Sequence, residues 1–124
     1  MGKILIAEDI KLISLHLKKI LQKLSQNVLS IVESPDEAFK LLSNDDNIDI
    51  LFLSDSLTGN NSIPDSLELT KKIMDNQPHL KIIIVTSQGK KQTILKFINN
   101  GAKTFVEKPL NTNNIQNILT EINI

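Results

Sequence analysis

The chain has no cysteine, no tryptophan, no tyrosine and no arginine, and it carries only four glycines and four prolines in 124 residues. Without cysteine, disulfides, thiolate nucleophiles and Cys-ligated metals are excluded. Without arginine, the planar guanidinium fork that grips phosphate through two parallel hydrogen bonds is missing, so any anion must be held by ammonium groups, hydroxyls and backbone. The two histidines, His16 and His79, lie far apart in sequence and argue against a dedicated zinc or haem site. Long apolar runs are also missing. After Met1 the first such stretch is only Ile4 to Ala7 before Glu8 and Asp9, too short for a signal-peptide core, and no later run approaches the ~18 residues of a membrane span. Fourteen Lys balance fourteen Asp plus Glu, so no excess charge points to nucleic acid or to an anionic membrane surface. The expectation is a cytoplasmic protein with neither kind of partner.

What is present is aliphatic and polar. Nineteen Ile and thirteen Asn accompany the fourteen Lys, a bias we read as drift in an AT-rich genome. The length suits one domain, residues 1–124, able to bury roughly two-thirds of its unfolded surface around a single core.

Periodicity divides the chain into ten segments. Lys3 to Ala7 reads as a strand. Ile13, Leu17, Ile20, Leu21 and Leu24 recur at helical spacing, and Val28 to Val32 is a second β-branched run. Ser34-Pro35-Asp36-Glu37 opens a helix through Leu42, with Pro at a tolerated first-turn position. Ile50 to Leu53 is apolar without alternation, as suits a strand buried on both faces. Pro64 to Asp75 reads as a helix ended by Gln77-Pro78. Ile82 to Val85 is a strand, Lys90 to Asn99 a helix stopped at Asn100-Gly101, Thr104 to Val106 a short strand, and Asn111 to Ile122 a last helix.

Strict alternation predicts an α/β fold with a parallel sheet, right-handed crossovers and helices on both faces. Sites in such sheets lie beyond the carboxyl ends of the strands. Those ends carry Glu8 and Asp9, Asp55, Thr86 and Ser87, and Glu107 and Lys108; the second strand offers only Glu33 and Ser34. Gathered carboxylates raise one another's pKa and call for a hard cation such as Mg²⁺. A Lys and a Thr hydroxyl opposite them could hold a phosphoryl group, and a carboxylate could serve as its nucleophile.

Several stretches now make the resemblance specific: Ile4-Leu-Ile-Ala-Glu-Asp9, Asp36-Glu-Ala-Phe39, Asp65-Ser-Leu-Glu-Leu69, Val85-Thr-Ser87 and Gly101-Ala-Lys-Thr-Phe-Val-Glu-Lys-Pro109. Over its whole length the chain resembles the receiver domain of two-component response regulators. That resemblance implies a doubly wound, flavodoxin-like five-stranded sheet in the order 2-1-3-4-5 and a phosphoacceptor at Asp55, with Mg²⁺ held by Glu8, Asp9, Asp55 and the backbone carbonyl of Leu57. It implies Thr86 and Lys108 on the phosphoryl oxygens, Phe105 as an aromatic that turns inward, and a cis peptide at Lys108-Pro109. It further implies a histidine kinase or phosphotransfer protein as donor, and a downstream protein partner meeting the fourth helix, fifth strand and fifth helix. The chain would be a stand-alone signalling phosphoacceptor, not an enzyme, beyond slow loss of its own phosphoryl group.

The departures from the family pattern gather after the third strand. Gly59 stands where the family usually has Pro, and Asp65-Ser66, in place of the family's Asp-Gly, arrives about three residues late, so the loop from Ser56 to Ile63 is long. Counting five residues on from Asp49, where many receivers place their acceptor, reaches Ser54, which cannot form an acyl phosphate. Either the strand is offset by one residue, the reading preferred because Asp55 is the sole carboxylate at that strand end, or the site is degenerate and the chain a phosphorylation-independent interaction module.

Plainer readings stand beside these. Glu8-Asp9 alone reads as a helix cap, Thr86 as an ordinary strand-end residue, Lys108 as a solvated charge, and Gly101 as the left-handed residue closing a helix. His16, beside the Ile13 and Ile20 stripe, reads as a partly buried packing residue. Lys90, Lys91, Lys96 and Lys103 form a solvated face or, in the family's terms, part of a docking surface. A Mg²⁺-dependent aspartyl phosphatase is a further rival, since Leu51-Phe-Leu-Ser-Asp55 resembles the strand of a haloacid-dehalogenase nucleophile; such enzymes need an acid two residues on, where this chain has Leu57. A flavodoxin-like flavin carrier would need a Ser/Thr/Gly phosphate loop where Glu8 and Asp9 stand.

Overall fold

The structure, a computed structural model, describes residues 2–60 and 62–123. Five strands and five helices alternate: β1 (Lys3–Ala7), α1 (Lys11–Lys23), β2 (Val28–Val32), α2 (Pro35–Asn44), β3 (Ile48–Ser54), α3 (Ser66–Asn76), β4 (Lys81–Thr86), α4 (Lys91–Asn99), β5 (Thr104–Glu107) and α5 (Thr112–Ile122). All pairings are parallel, as the alternation predicts, and the strand order is β2-β1-β3-β4-β5, the doubly wound arrangement that the resemblance implies. Among the described residues no helix is long and apolar enough to cross a membrane.

The three inner strands, β1, β3 and β4, are apolar on both sides because both sides are covered. Leu5, Ala7, Leu51, Leu53, Ile82 and Ile84 face α2, α3 and α4, where Leu42, Leu69, Ile73 and Phe97 meet them. Ile4, Ile6, Ile50, Phe52, Ile83 and Val85 face α1 and α5, against Leu17, Leu21, Ile115 and Leu119.

Local chemistry explains most boundaries. Ser34 caps α2 by accepting from the Glu37 N–H at 3.2 Å, with Pro35 in the first turn. Asn111 and Asn114 form a reciprocal capping box on α5. Gly101 (φ +111°) follows α4 in a backbone region that favours glycine, and a Cβ there would overlap the Met74 side chain. The Lys108-Pro109 bond is cis, as expected.

Four expectations are corrected. The third helix begins at Ser66, not Pro64, because Asp65 is its cap, accepting from the Glu68 N–H at 2.9 Å. Asp9 caps nothing: α1 starts from Ile10 without a side-chain cap, and the Ile10 N–H is taken by Glu8 Oε2 at 3.1 Å. The His16 ring is exposed, yet its Nε2 lies 2.9 Å from the Leu110 carbonyl oxygen and so ties α1 to the segment after β5. The third strand starts at Ile48, two residues before the apolar run.

That early start changes the register. Lys3 pairs with Ile48 but Ile4 pairs with Ile50, so Asp49 is an extra residue on β3, a bulge. Its carboxyl lies so close over Gly2 that a Cβ on Gly2 would overlap it. Every residue of β3 after Asp49 is displaced by one relative to an unbulged strand.

Candidate functional site

Beyond the bulge, Ala7 pairs with Leu53, Ser54 with Val85 and Thr86 with Glu107. The Asp55 N–H donates to the Val85 carbonyl at 3.1 Å, extending β3 against β4 by one more bond. Thr86, fully buried, donates its hydroxyl to Asp55 Oδ2 at 2.7 Å. It is therefore Asp55, and not Ser54, that presents its carboxylate to the β4 hydroxyl. Ser54 is itself buried, its hydroxyl 3.3 Å from that of Ser56.

Glu8 is 3 % exposed. One carboxylate oxygen is engaged by the Ile10 N–H; the other, Oε1, is buried with no hydrogen-bond partner. Burial is the largest influence on its pKa and raises it; the Ile10 N–H and the charge of Lys108 pull it back, and Asp9 pushes it up. An unpartnered buried carboxylate oxygen beside a second carboxylate fits a bound cation. Lys108 is half-buried and its charge acts on Glu8, while its backbone N–H donates to the Thr86 carbonyl at 2.8 Å and so fixes the end of β5 beside β4.

Two parts of the expected metal shell are not assembled. Among the described residues no three Asp, Glu or His side chains close around a common point, and Asp9 is exposed, so Glu8, Asp9 and Asp55 do not form one gathered ligand set here. Nor is the Leu57 carbonyl offered to the site. Leu57 is 0 % exposed, and its oxygen accepts from the Ser66 N–H at 3.1 Å, on the α3 side. The long loop accompanies this: Thr58 bridges Asp65 in antiparallel fashion and the Gly59 N–H donates to the Pro64 carbonyl at 3.0 Å, so the two arms of the loop lie against each other. The excess length is taken up there, with Asn61 outside the described residues, and Leu57 is drawn into the core.

Phe105 is 37 % exposed on β5, turned outward. It lines a largely apolar groove of about 350 Å³ with Lys90, Lys91, Ile94, Leu95 and Glu107. The hydroxyl of Ser66, which stands in place of the family's glycine, is buried beside the segment that carries Asp55, a placement that pattern reading did not foresee.

The family model of the response regulator receiver domain matches residues 4–120. The chemotaxis protein CheY of Thermotoga maritima is 27 % identical over 98 % of both chains. Among solved structures, the receiver domain of NtrX from Brucella abortus superposes with a TM-score of 0.85 at 23 % identity, covering 95 % of each chain. A two-component response regulator from Clostridium difficile gives 0.84 at 26 %, covering 98 % of this chain and 95 % of that one. The CheX–CheY–BeF3–Mg complex of Borrelia burgdorferi gives 0.87 at 23 %, covering 99 % and 90 %. With the family model spanning nearly the whole chain and the same sheet order behind it, this chain belongs to the response regulator receiver domain family.

Proposed function

We propose that the chain accepts a phosphoryl group on Asp55 from a phosphohistidine donor in a two-component pathway, with Mg²⁺ bound, in the cytoplasm. The observation that carries this is the 2.7 Å hydrogen bond from Thr86 to Asp55 beside the unpartnered buried oxygen of Glu8. In the transfer, an Asp55 carboxylate oxygen attacks phosphorus, the P–N bond to the donor's imidazole breaks, and that nitrogen keeps the electron pair. Thr86 and Lys108 offer a hydroxyl and an ammonium to the phosphoryl oxygens. Glu8, through its unpartnered oxygen, and Asp9 and Asp55, which stand apart from it in this structure, are the carboxylates that would close on the ion, and the ion would neutralise the phosphoryl charge. Hydrolysis of the acyl phosphate, if water reaches it, is slow turnover of the chain's own modification and not an enzymatic activity on other substrates.

The response is a change of surface. When Thr86 moves with the phosphoryl group, Phe105 turns inward and the face made by α4, β5 and α5 repacks for a downstream protein. The exposure of Leu95, Ile98 and Phe105 on this face supports that role.

Incubating the protein with Mg²⁺ and acetyl phosphate tests the reading: a mass gain of one phosphoryl group is expected in the wild type and not in Asp55→Asn. No gain in the wild type would leave the second reading, a receiver that works as an interaction module without phosphorylation. The buried Leu57 carbonyl and the ungathered carboxylates favour that alternative.

A further inference from the structure

β3 leaves the sheet through Ser54, Asp55, Ser56 and Leu57, and one hydroxyl stands between the ends of that segment. Ser66 Oγ accepts from the Leu57 N–H at 3.1 Å and donates to the Ser54 carbonyl. In a simple four-residue turn the first carbonyl bonds the fourth N–H directly. Here a side chain from the start of α3 is inserted into that bond, and Asp55 is one of the two central residues.

The Ser66 backbone is held in place, and the other acceptor near its hydroxyl, the Leu57 carbonyl oxygen at 3.4 Å, belongs to the same segment. Ser66 is fully buried, its own N–H donates to the Leu57 carbonyl at 3.1 Å, and its carbonyl accepts from Thr70 Oγ1 at 2.9 Å. Serine is small enough to fit between β3 and α3, and its hydroxyl both donates and accepts, as two ends of a turn require. Alanine can do neither, and would leave the Ser54 carbonyl and the Leu57 N–H buried without partners or let them close on each other. Closure narrows the turn and rotates the Asp55 carboxylate off the Thr86 hydroxyl.

From this we infer that Ser66 is the positioning residue of the site: its hydroxyl sets the width of the turn and thereby aims Asp55 at Thr86. The inference rests on Asp55 being the phosphoacceptor, but its first test does not. In metal-free protein, the ¹³C carboxyl resonance of Asp55, assigned through Asp55→Asn, is compared between wild type, Ser66→Ala and Thr86→Ala. The expected result is that Ser66→Ala, folded by circular dichroism, moves this resonance in the direction Thr86→Ala moves it. With Mg²⁺ and acetyl phosphate, acylation of Asp55 should then slow by about tenfold or more. An unmoved resonance in the folded variant overturns the inference, as does acylation at the wild-type rate. Should Ser66→Ala not fold, Ser66→Cys, close in size and a weak donor, is read by the same two outcomes. If the wild type takes no phosphoryl group, the phosphoacceptor reading fails while the resonance still judges Ser66.

Discussion

The Thr86 hydroxyl reaches Asp55 Oδ2 at 2.7 Å from the neighbouring strand, closing the gap between the β3 and β4 ends of the sheet. Thr86 is buried and Asp55 partly open, so the bond is protected on one side only. Thr86→Ala should destabilise the fold by about 1 kcal/mol, read by urea denaturation, and Thr86→Ser should restore most of the loss. Equal stability of Thr86→Ala and wild type would show the bond to be energetically idle.

Glu8 gives the molecule a pH dependence whose sign follows from its raised pKa. A carboxyl that is a weaker acid when folded binds its proton more tightly in the native state. Its contribution to stability is therefore greatest at low pH and falls as pH rises from the ordinary carboxylate value through the raised folded value. Urea midpoints of metal-free protein should decline over that range for the wild type and stay flatter for Glu8→Gln. A steeper decline in the variant would contradict the burial argument.

The same orphaned oxygen predicts how Mg²⁺ acts. At about a hundred times its dissociation constant a ligand that binds only the folded chain adds roughly 2.7 kcal/mol. Thermal unfolding with and without Mg²⁺ should show this gain in the wild type and lose most of it in Glu8→Gln. An equal gain in both would mean that the ion sits elsewhere.

Gly101 combines a positive φ with the Met74 side chain where a Cβ would go. Gly101→Ala should cost about 1–3 kcal/mol in chemical denaturation, unfolding at lower urea with an unchanged slope. A neutral result would mean that Met74 moves aside and the backbone relaxes.

Because the chain has no Trp or Tyr, Phe105→Trp makes a clean fluorescent reporter at a site already 37 % exposed. Beryllofluoride with Mg²⁺ should shift its emission to the blue as the ring turns inward. An unmoved spectrum, with beryllofluoride bound at Asp55, would count against the coupling of the site to this face.

The order of elements, the doubly wound sheet and the identities at the strand ends are legible in the sequence, because each depends on near neighbours. Period-2 and period-3.6 patterns are local, caps such as Ser34 and Asn111 act within three residues, and burial on both faces leaves Ile82 to Val85 with no polar interruption. The absence of cysteine and arginine likewise limits the chemistry to carboxylates, hydroxyls and ammonium groups by composition alone.

Counting from Asp49 leaves Ser54 and Asp55 as competitors, and no local pattern separates them. The tertiary structure sets Asp55, and not Ser54, against the Thr86 hydroxyl, because register is set by pairing between β1 and β3, segments more than forty residues apart, and a bulge at Asp49 shifts all that follows by one. The direction of the Leu57 carbonyl and the insertion of Ser66 into the turn around Asp55 are of the same kind. A backbone group's partner depends on which distant segment packs against it, so the sequence puts carboxylates after the strands at one end of the sheet, while packing determines which of them is held in place.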